Sequence, residues 1–222
     1  MRNRSSWTAE HRPLLSRLMA LLLLAHVPMA SAGTLPWPVG FRAGATLASL
    51  SYDDLATGIT DGDRLGYFLA GHVDIPVLSY LSIETGLTFA EQGSDIEGSG
   101  TFFNQTVSGA ATIRLAYMYV PVLLRVTSPT MKYKPFLKLG PHFGFLLDSK
   151  AEYANIEADI DDDTEGTEVA LYFSGGVTFP GKYESFIEVG YNLGLTGIAV
   201  EPTLLFSDAK NRALVLTAGF NF

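Results

Sequence analysis

Cysteine is absent from the 222 residues, which excludes a disulfide framework and thiol chemistry. Bases are scarce: 15 Lys and Arg stand against 23 Asp and Glu, a formal charge of -8. A chain so acidic lacks the basic footprint of a nucleic-acid binder, and no nucleic-acid partner is expected. No stretch reaches the roughly 18 uninterrupted apolar residues that mark a transmembrane helix.

The front end carries a targeting signal. Arg2, Arg4, Arg12 and Arg17 form a basic region, and residues 18–27 (LMALLLLAHV) form a short apolar run. Ala30, Ser31 and Ala32 then supply the small residues a signal peptidase reads. Residues 1–32 are predicted to be a cleaved signal peptide and 33–222 one β-barrel domain. Cleavage removes four Arg and one Glu, taking the formal charge from -8 to -11.

The closing stretch, RALVLTAGFNF, alternates strictly. Leu214, Leu216, Ala218, Phe220 and Phe222 share one face; Val215, Thr217, Gly219 and Asn221 share the other. A membrane β-barrel needs an apolar outward face and a small or polar inward face on every strand. The same period of two recurs at 39–50, 65–75, 80–91, 107–127, 133–147, 169–179 and 183–193. In the fourth of the eight segments, Ile113, Leu115, Tyr117 and Tyr119 are expected to face outward, with Arg114, Ala116 and Met118 behind them. Pro121 within it predicts a local irregularity.

Connections sort by length. Residues 51–64, 92–106, 148–168 and 196–211 read as long polar loops, and 76–79, 128–132 and 180–182 as short turns. Even strand number, short periplasmic turns and longer external loops are the outer-membrane pattern. The fold class is therefore an all-β, eight-stranded, antiparallel, up-and-down transmembrane barrel in the outer membrane of a Gram-negative bacterium. Closure follows physically, because an open sheet edge in hydrocarbon leaves unpaired backbone groups. Trp37, Tyr80, Tyr133, Phe179, Tyr183 and Phe220 all fall at strand ends nearest the short turns or the termini, where a lower aromatic girdle is expected.

Three segments carry a family resemblance: YMYVPVLLRV (117–126), KPFLKLGPHFGFLLDS (134–149) and EVGYNLGLTGI (188–198). With the final NRALVLTAGFNF they resemble the PorT-like outer-membrane β-barrel domain of the Bacteroidetes type, over 39–222. The resemblance implies a porin-like barrel. Its pattern has an acidic residue two positions before the proline, where this chain has Tyr119, so no carboxylate role carries over. Phe222 resembles the terminal signal read by the outer-membrane assembly machinery, a partner it implies.

Catalysis would need a nucleophile and base in contact. The candidates are His72 with Ser82 or Ser79, and His142 with Ser174; His72, Ser82, His142 and Ser174 share the inward parity, but none sits in a recognisable nucleophile motif. The acidic run EADIDDDTEG (157–166) offers oxygen ligands yet lacks the EF-hand order. No catalytic residue, metal site or cofactor is assigned. The inward parity instead collects Arg42, Arg114, Lys134 and Lys138 against Asp74, Glu84, Glu184 and Glu188, joined by His72 and His142. This balance predicts a lumen filled by a paired network, because an unpaired buried charge costs several kcal/mol. Lys134 and Lys138 lie at the depth of Glu184 and Glu188.

The reading is a non-enzymatic structural or adaptor barrel. The alternatives are a narrow channel or carrier for small or apolar molecules, and a lipopolysaccharide-modifying acyltransferase or deacylase. Expected partners are outer-membrane lipid and lipopolysaccharide, together with an unidentified periplasmic or surface protein. Intact-mass measurement of the purified protein is expected to place Gly33 first; retention of Met1 would overturn the predicted cleavage.

Overall fold

The computed structural model describes residues 37–52, 59–102, 105–153, 156–160, 164–198 and 209–222; the predicted signal peptide lies outside them. Ten strands follow in chain order: β1 (Val39–Tyr52), β2 (Ile59–Gly62), β3 (Arg64–Leu78), β4 (Leu81–Phe102), β5 (Gln105–Thr127), β6 (Lys134–Tyr153), β7 (Ile156–Asp159), β8 (Thr167–Phe179), β9 (Glu184–Gly194) and β10 (Ala209–Asn221). Eight of them close an antiparallel barrel in the circular order β1, β3, β4, β5, β6, β8, β9, β10. Each pairs with its chain neighbours, which makes the connectivity up-and-down. The seam joins β1 to β10 from Gly40 opposite Asn221 to Tyr52 opposite Ala209. The short β2 and β7 extend β4 and β6 at their outer ends.

Period two dictates the two faces. Along β10, Ala213, Val215 and Thr217 are buried while Leu214 and Leu216 are exposed. Around the barrel the inversion is general: Leu65, Leu137 and Leu216 lie outside at 71%, 68% and 59% exposure, while Arg42 and Glu84 are at 0%. A water-facing surface with so large an apolar band would aggregate; facing hydrocarbon, it is the required one. At the turn end Trp37, Tyr80, Tyr133 and Tyr183 point outward. Their rings pack edge to face, Tyr133 on Phe179 at 6.0 Å and Tyr183 on Phe222 at 5.6 Å.

Two sequence expectations are corrected. Residues 92–102 and 105–106 are strand rather than loop: β4 and β5 stay paired from Gln92 opposite Leu115 to Phe102 opposite Gln105. The segments 51–64 and 148–168 likewise contain β2, the end of β6, and β7. Beyond the apolar band neither face of a hairpin needs apolar residues, so the ladder persists while the period-two signal fades.

The second correction concerns the facing of β5. Leu115, Tyr117, Tyr119 and Leu123 are buried inside, whereas Arg114, Met118, Val122 and Leu124 lie on the outward parity. Both faces of this strand are largely apolar, so hydropathy alone does not fix its phase. The polar groups do: Tyr119 finds Gln92 and Glu168, and Arg125 finds Asp74, only from inside. Opposite Pro121 the pairing with β4 is interrupted, without a change of register.

At the seam, Gly44 has no room for a side chain. A Cβ there would lie 1.9 Å from the Leu216 carbonyl oxygen and 2.7 Å from Thr217 Cα. Gly44→Val is expected to cost at least about 2 kcal/mol, read as a lower urea midpoint for unfolding. An unchanged midpoint would mean that the seam tolerates a side chain.

Candidate functional site: the barrel interior

An eight-stranded barrel is just wide enough for its inward side chains to fill. Its narrowest chemistry here is a square of alternating charge. Arg42 comes from β1, Glu84 from β4, Lys138 from β6 and Glu188 from β9, which are alternate strands in the circular order. Arg42 Nη1 lies 2.6 Å from Glu84 Oε1 and 3.4 Å from Glu188 Oε2. Lys138 Nζ lies 2.7 Å from Glu84 Oε2 and 2.9 Å from Glu188 Oε2. All four side chains are fully buried. The Tyr172 hydroxyl donates to Glu188 Oε1 at 3.0 Å. Rings of Phe68, Phe136 and Phe186 wall in the cations, with Lys138 Nζ 5.0 Å from the Phe136 centroid.

The layer on the turn side draws on the intervening strands. Arg125 of β5 pairs with Asp74 of β3, and its Nη2 donates to Thr178 of β8 at 3.3 Å. Asn221 of β10 bonds His72 Nε2 at 2.9 Å. At the rim, Lys134 lies 2.5 Å from Glu184, with side chains 36% and 43% exposed. Toward the outer end the interior is mixed: Leu50, Phe68, Leu115, Tyr117 and Val215 share one hydrophobic cluster, interleaved with buried Gln92, Glu168, Asn192 and Asn211. Within it Gln92 donates to the Tyr119 hydroxyl at 2.7 Å, which donates to Glu168 at 2.5 Å.

Of the ten residues singled out in the sequence, Arg42, His72, Asp74, Glu84, Lys138, His142 and Glu188 are buried inside. Lys134 and Glu184 stand at the rim. Arg114 does not belong with them: its side chain is 43% exposed and its Nε sits 3.8 Å from Glu91, which also takes Arg64 at 2.7 Å. The inverted phase of β5 accounts for the misplacement, and it also hid Arg125. Glu168 lies at the end of the 148–168 segment that reads as a polar loop. Its signal was parity, since it lies an even number of residues from Tyr172 and Ser174.

The histidines are held by other groups. His142 stacks on Tyr172 at 4.5 Å and 9°, His72 bonds Asn221, and among the described residues neither contacts a serine hydroxyl. One ligand atom each from His72, Asp74 and Glu84 gathers within 4.8 Å. Arg125 already occupies Asp74, and Arg42 and Lys138 occupy Glu84, so a divalent cation would face three neighbouring positive charges.

Removing one corner of the square leaves buried charge uncompensated. Glu188→Gln is expected to destabilise the folded barrel by roughly 3 kcal/mol, whereas Glu184→Gln at the wet rim should cost less than about 1 kcal/mol. Urea unfolding of the two variants side by side checks this; equal losses would place the square in a solvated lumen.

The family model described as "Outer membrane protein beta-barrel domain" matches residues 29–200. Among solved structures the chain is similar to Ail, the attachment invasion locus protein of Yersinia pestis, at 12% identity and a TM-score of 0.42, covering 85% of this chain and 100% of that one. It is also similar to OprG from Pseudomonas aeruginosa, at 12% identity and a TM-score of 0.44, over 84% of this chain and 96% of that one. Neisserial surface protein A follows at 11% identity and a TM-score of 0.45, over 83% and 97%. No curated protein matches the sequence. With well over half of the chain matched, this outer-membrane protein of a Gram-negative bacterium belongs to the outer membrane protein β-barrel domain family.

Proposed function

We propose that the mature chain, beginning at Gly33, is a non-enzymatic structural or adaptor barrel with a plugged lumen. The observation that carries this reading is the charge square. Four long side chains from four walls meet at the centre of the cross-section, each base within 3.4 Å of two acids. A conducting pore would instead favour one dominant sign and a hydrated path. Below the square the Arg125 layer narrows the same path, and above it Leu115, Tyr117, Tyr119 and Tyr172 fill the interior.

With nothing passing through, the contacts fall to the two ends and the wall. The short turns at 79–80, 128–133 and 180–183 are read as periplasmic, and the β4–β5 arm and the longer connections as external, in the pattern of outer-membrane barrels. The wall meets outer-membrane lipid and lipopolysaccharide, and Phe222, packed on Phe220 at 5.1 Å, presents an aromatic terminus to the assembly machinery. The segments at 117–126, 134–149 and 188–198 support the finer PorT-like grouping.

Single-channel recording of the purified barrel in planar bilayers tests the plug. Silent insertions are expected, and stable, regular openings in most insertions would replace this reading with a narrow channel. Single cysteines at Asp162 and Lys182 test the topology on whole cells with a membrane-impermeant thiol reagent. Asp162→Cys should label and Lys182→Cys should not; the reverse would invert the barrel.

A further inference from the structure

The outer wall has a gap in it. Cross-strand pairing sets Val126, Leu137, Gly175, Val189 and Leu216 in one outward row over β5, β6, β8, β9 and β10. Every member except Gly175 carries a large aliphatic side chain. A Cβ on Gly175 would meet only Leu137 Cδ2 at 3.3 Å and the Phe136 carbonyl at 3.8 Å, so the glycine is not imposed by close backbone approach. The result is an apolar depression of about 740 Å³. It is roofed by the next row, Leu124, Leu139, Phe173, Tyr191 and Leu214.

Directly below, on the turn side, stand two cations. Lys132 and Lys182 lie in the turns that end β5 and β8, which flank β6 in the circular order. Lys132 Nζ rests 5.9 Å from the Tyr133 centroid and Lys182 Nζ 5.3 Å from that of Tyr183. Among the described residues neither has a carboxylate within ion-pair distance. This is unusual in a chain where acids outnumber bases by 23 to 15 and where every lumen base is paired. Strands rise about 3.3 Å per residue and tilt by about 35–45°, so Gly175, four residues from Phe179 of the girdle, sits roughly 10 Å inside it and Phe173 of the roof row roughly 15 Å. Half the hydrocarbon core is about 15 Å.

We infer that this groove binds one anionic glycerophospholipid, an acyl chain lying over Gly175 and the phosphate taken by Lys132 and Lys182. The aromatic belt supplies the headgroup level, the gap supplies a chain-wide slot ending near the bilayer centre, and the two ammonium groups supply the counter-charge. A second copy of the barrel fits less well. A two-fold contact centred on this groove presents the same patch from both partners, which sets the lysine pairs of the two copies against each other. That the lipid belongs to the periplasmic leaflet rests on the topology proposed above; the binding itself does not.

Native mass spectrometry of the barrel in a non-ionic detergent, titrated with phosphatidylglycerol or phosphatidylcholine, tests the inference independently of leaflet. One phosphatidylglycerol adduct is expected, retained in preference to phosphatidylcholine. Gly175→Leu should lower its occupancy about tenfold by filling the slot with some four carbons. Lys132→Gln with Lys182→Gln, both in exposed turns, should abolish the preference for phosphatidylglycerol while leaving heat-modifiable folding on gels intact. Equal binding of the two lipids by the unmodified protein, undiminished phosphatidylglycerol on folded Gly175→Leu, or a protein dimer in place of the lipid adduct would each overturn it.

Discussion

Compensation of charge in a lumen filled by side chains governs this barrel. Each ion of the interior square carries a desolvation cost of several kcal/mol, repaid only when its partners are close and correctly placed. Arg42, Glu84, Lys138 and Glu188 neutralise one another's charge because alternate strands bring inward side chains to a common level, the layering familiar from other closed barrels. The strands left out of that level supply the next, where Arg125 meets Asp74 and Thr178. Strand number, inward parity and charge sign thus constrain one another. A one-residue slip of any contributing strand would turn a charge toward hydrocarbon.

The outside follows from the same parity. Once a base or acid fixes which face of a strand is inward, the residues between must suit lipid, and Leu137 beside Lys138 or Ile187 beside Glu188 do so. The apolar band, the girdle of Tyr80, Tyr133 and Tyr183, and the polar outer arms are therefore successive zones along each strand rather than separate motifs.

The alternating segments were legible from period two, because in most strands one face differs in chemistry from the other, and their up-and-down order from the sorting of connections by length. The facing of β5 was not. Leu115, Tyr117, Tyr119 and Leu123 are as apolar as the residues between them, and the deciding partners, Gln92, Glu168 and Asp74, come from other strands. Arg125 offered the one local clue, since a charge between the outward Leu124 and Val126 belongs inside. Arg114 offered a false one, because at the outer end of the strand it can meet Glu91 from the wall. Loop boundaries failed for a different reason. Where water lies on both sides, hydrogen-bonded pairing leaves little mark on composition. The depth match of Lys134 and Lys138 with Glu184 and Glu188 was readable from distances to the turns; the ion pairs themselves needed the register.

The seam between β1 and β10 bears on how such a wall is put together. One corner of the square, Arg42, stands on the first strand, while Glu188 stands on the strand that precedes the last. The residues at 42 and 188 are therefore among the most distant in sequence yet belong to one ion cluster, linked at 3.4 Å only after the ends of the sheet have met. Before that contact forms, Arg42 and Glu188 each lack one of their two opposite charges. The other three contacts of the square join strands on the same side of the seam, so meeting of the ends turns an open run of alternating charge into a ring, and the ring is the point at which Arg42 and Glu188 each gain a second partner.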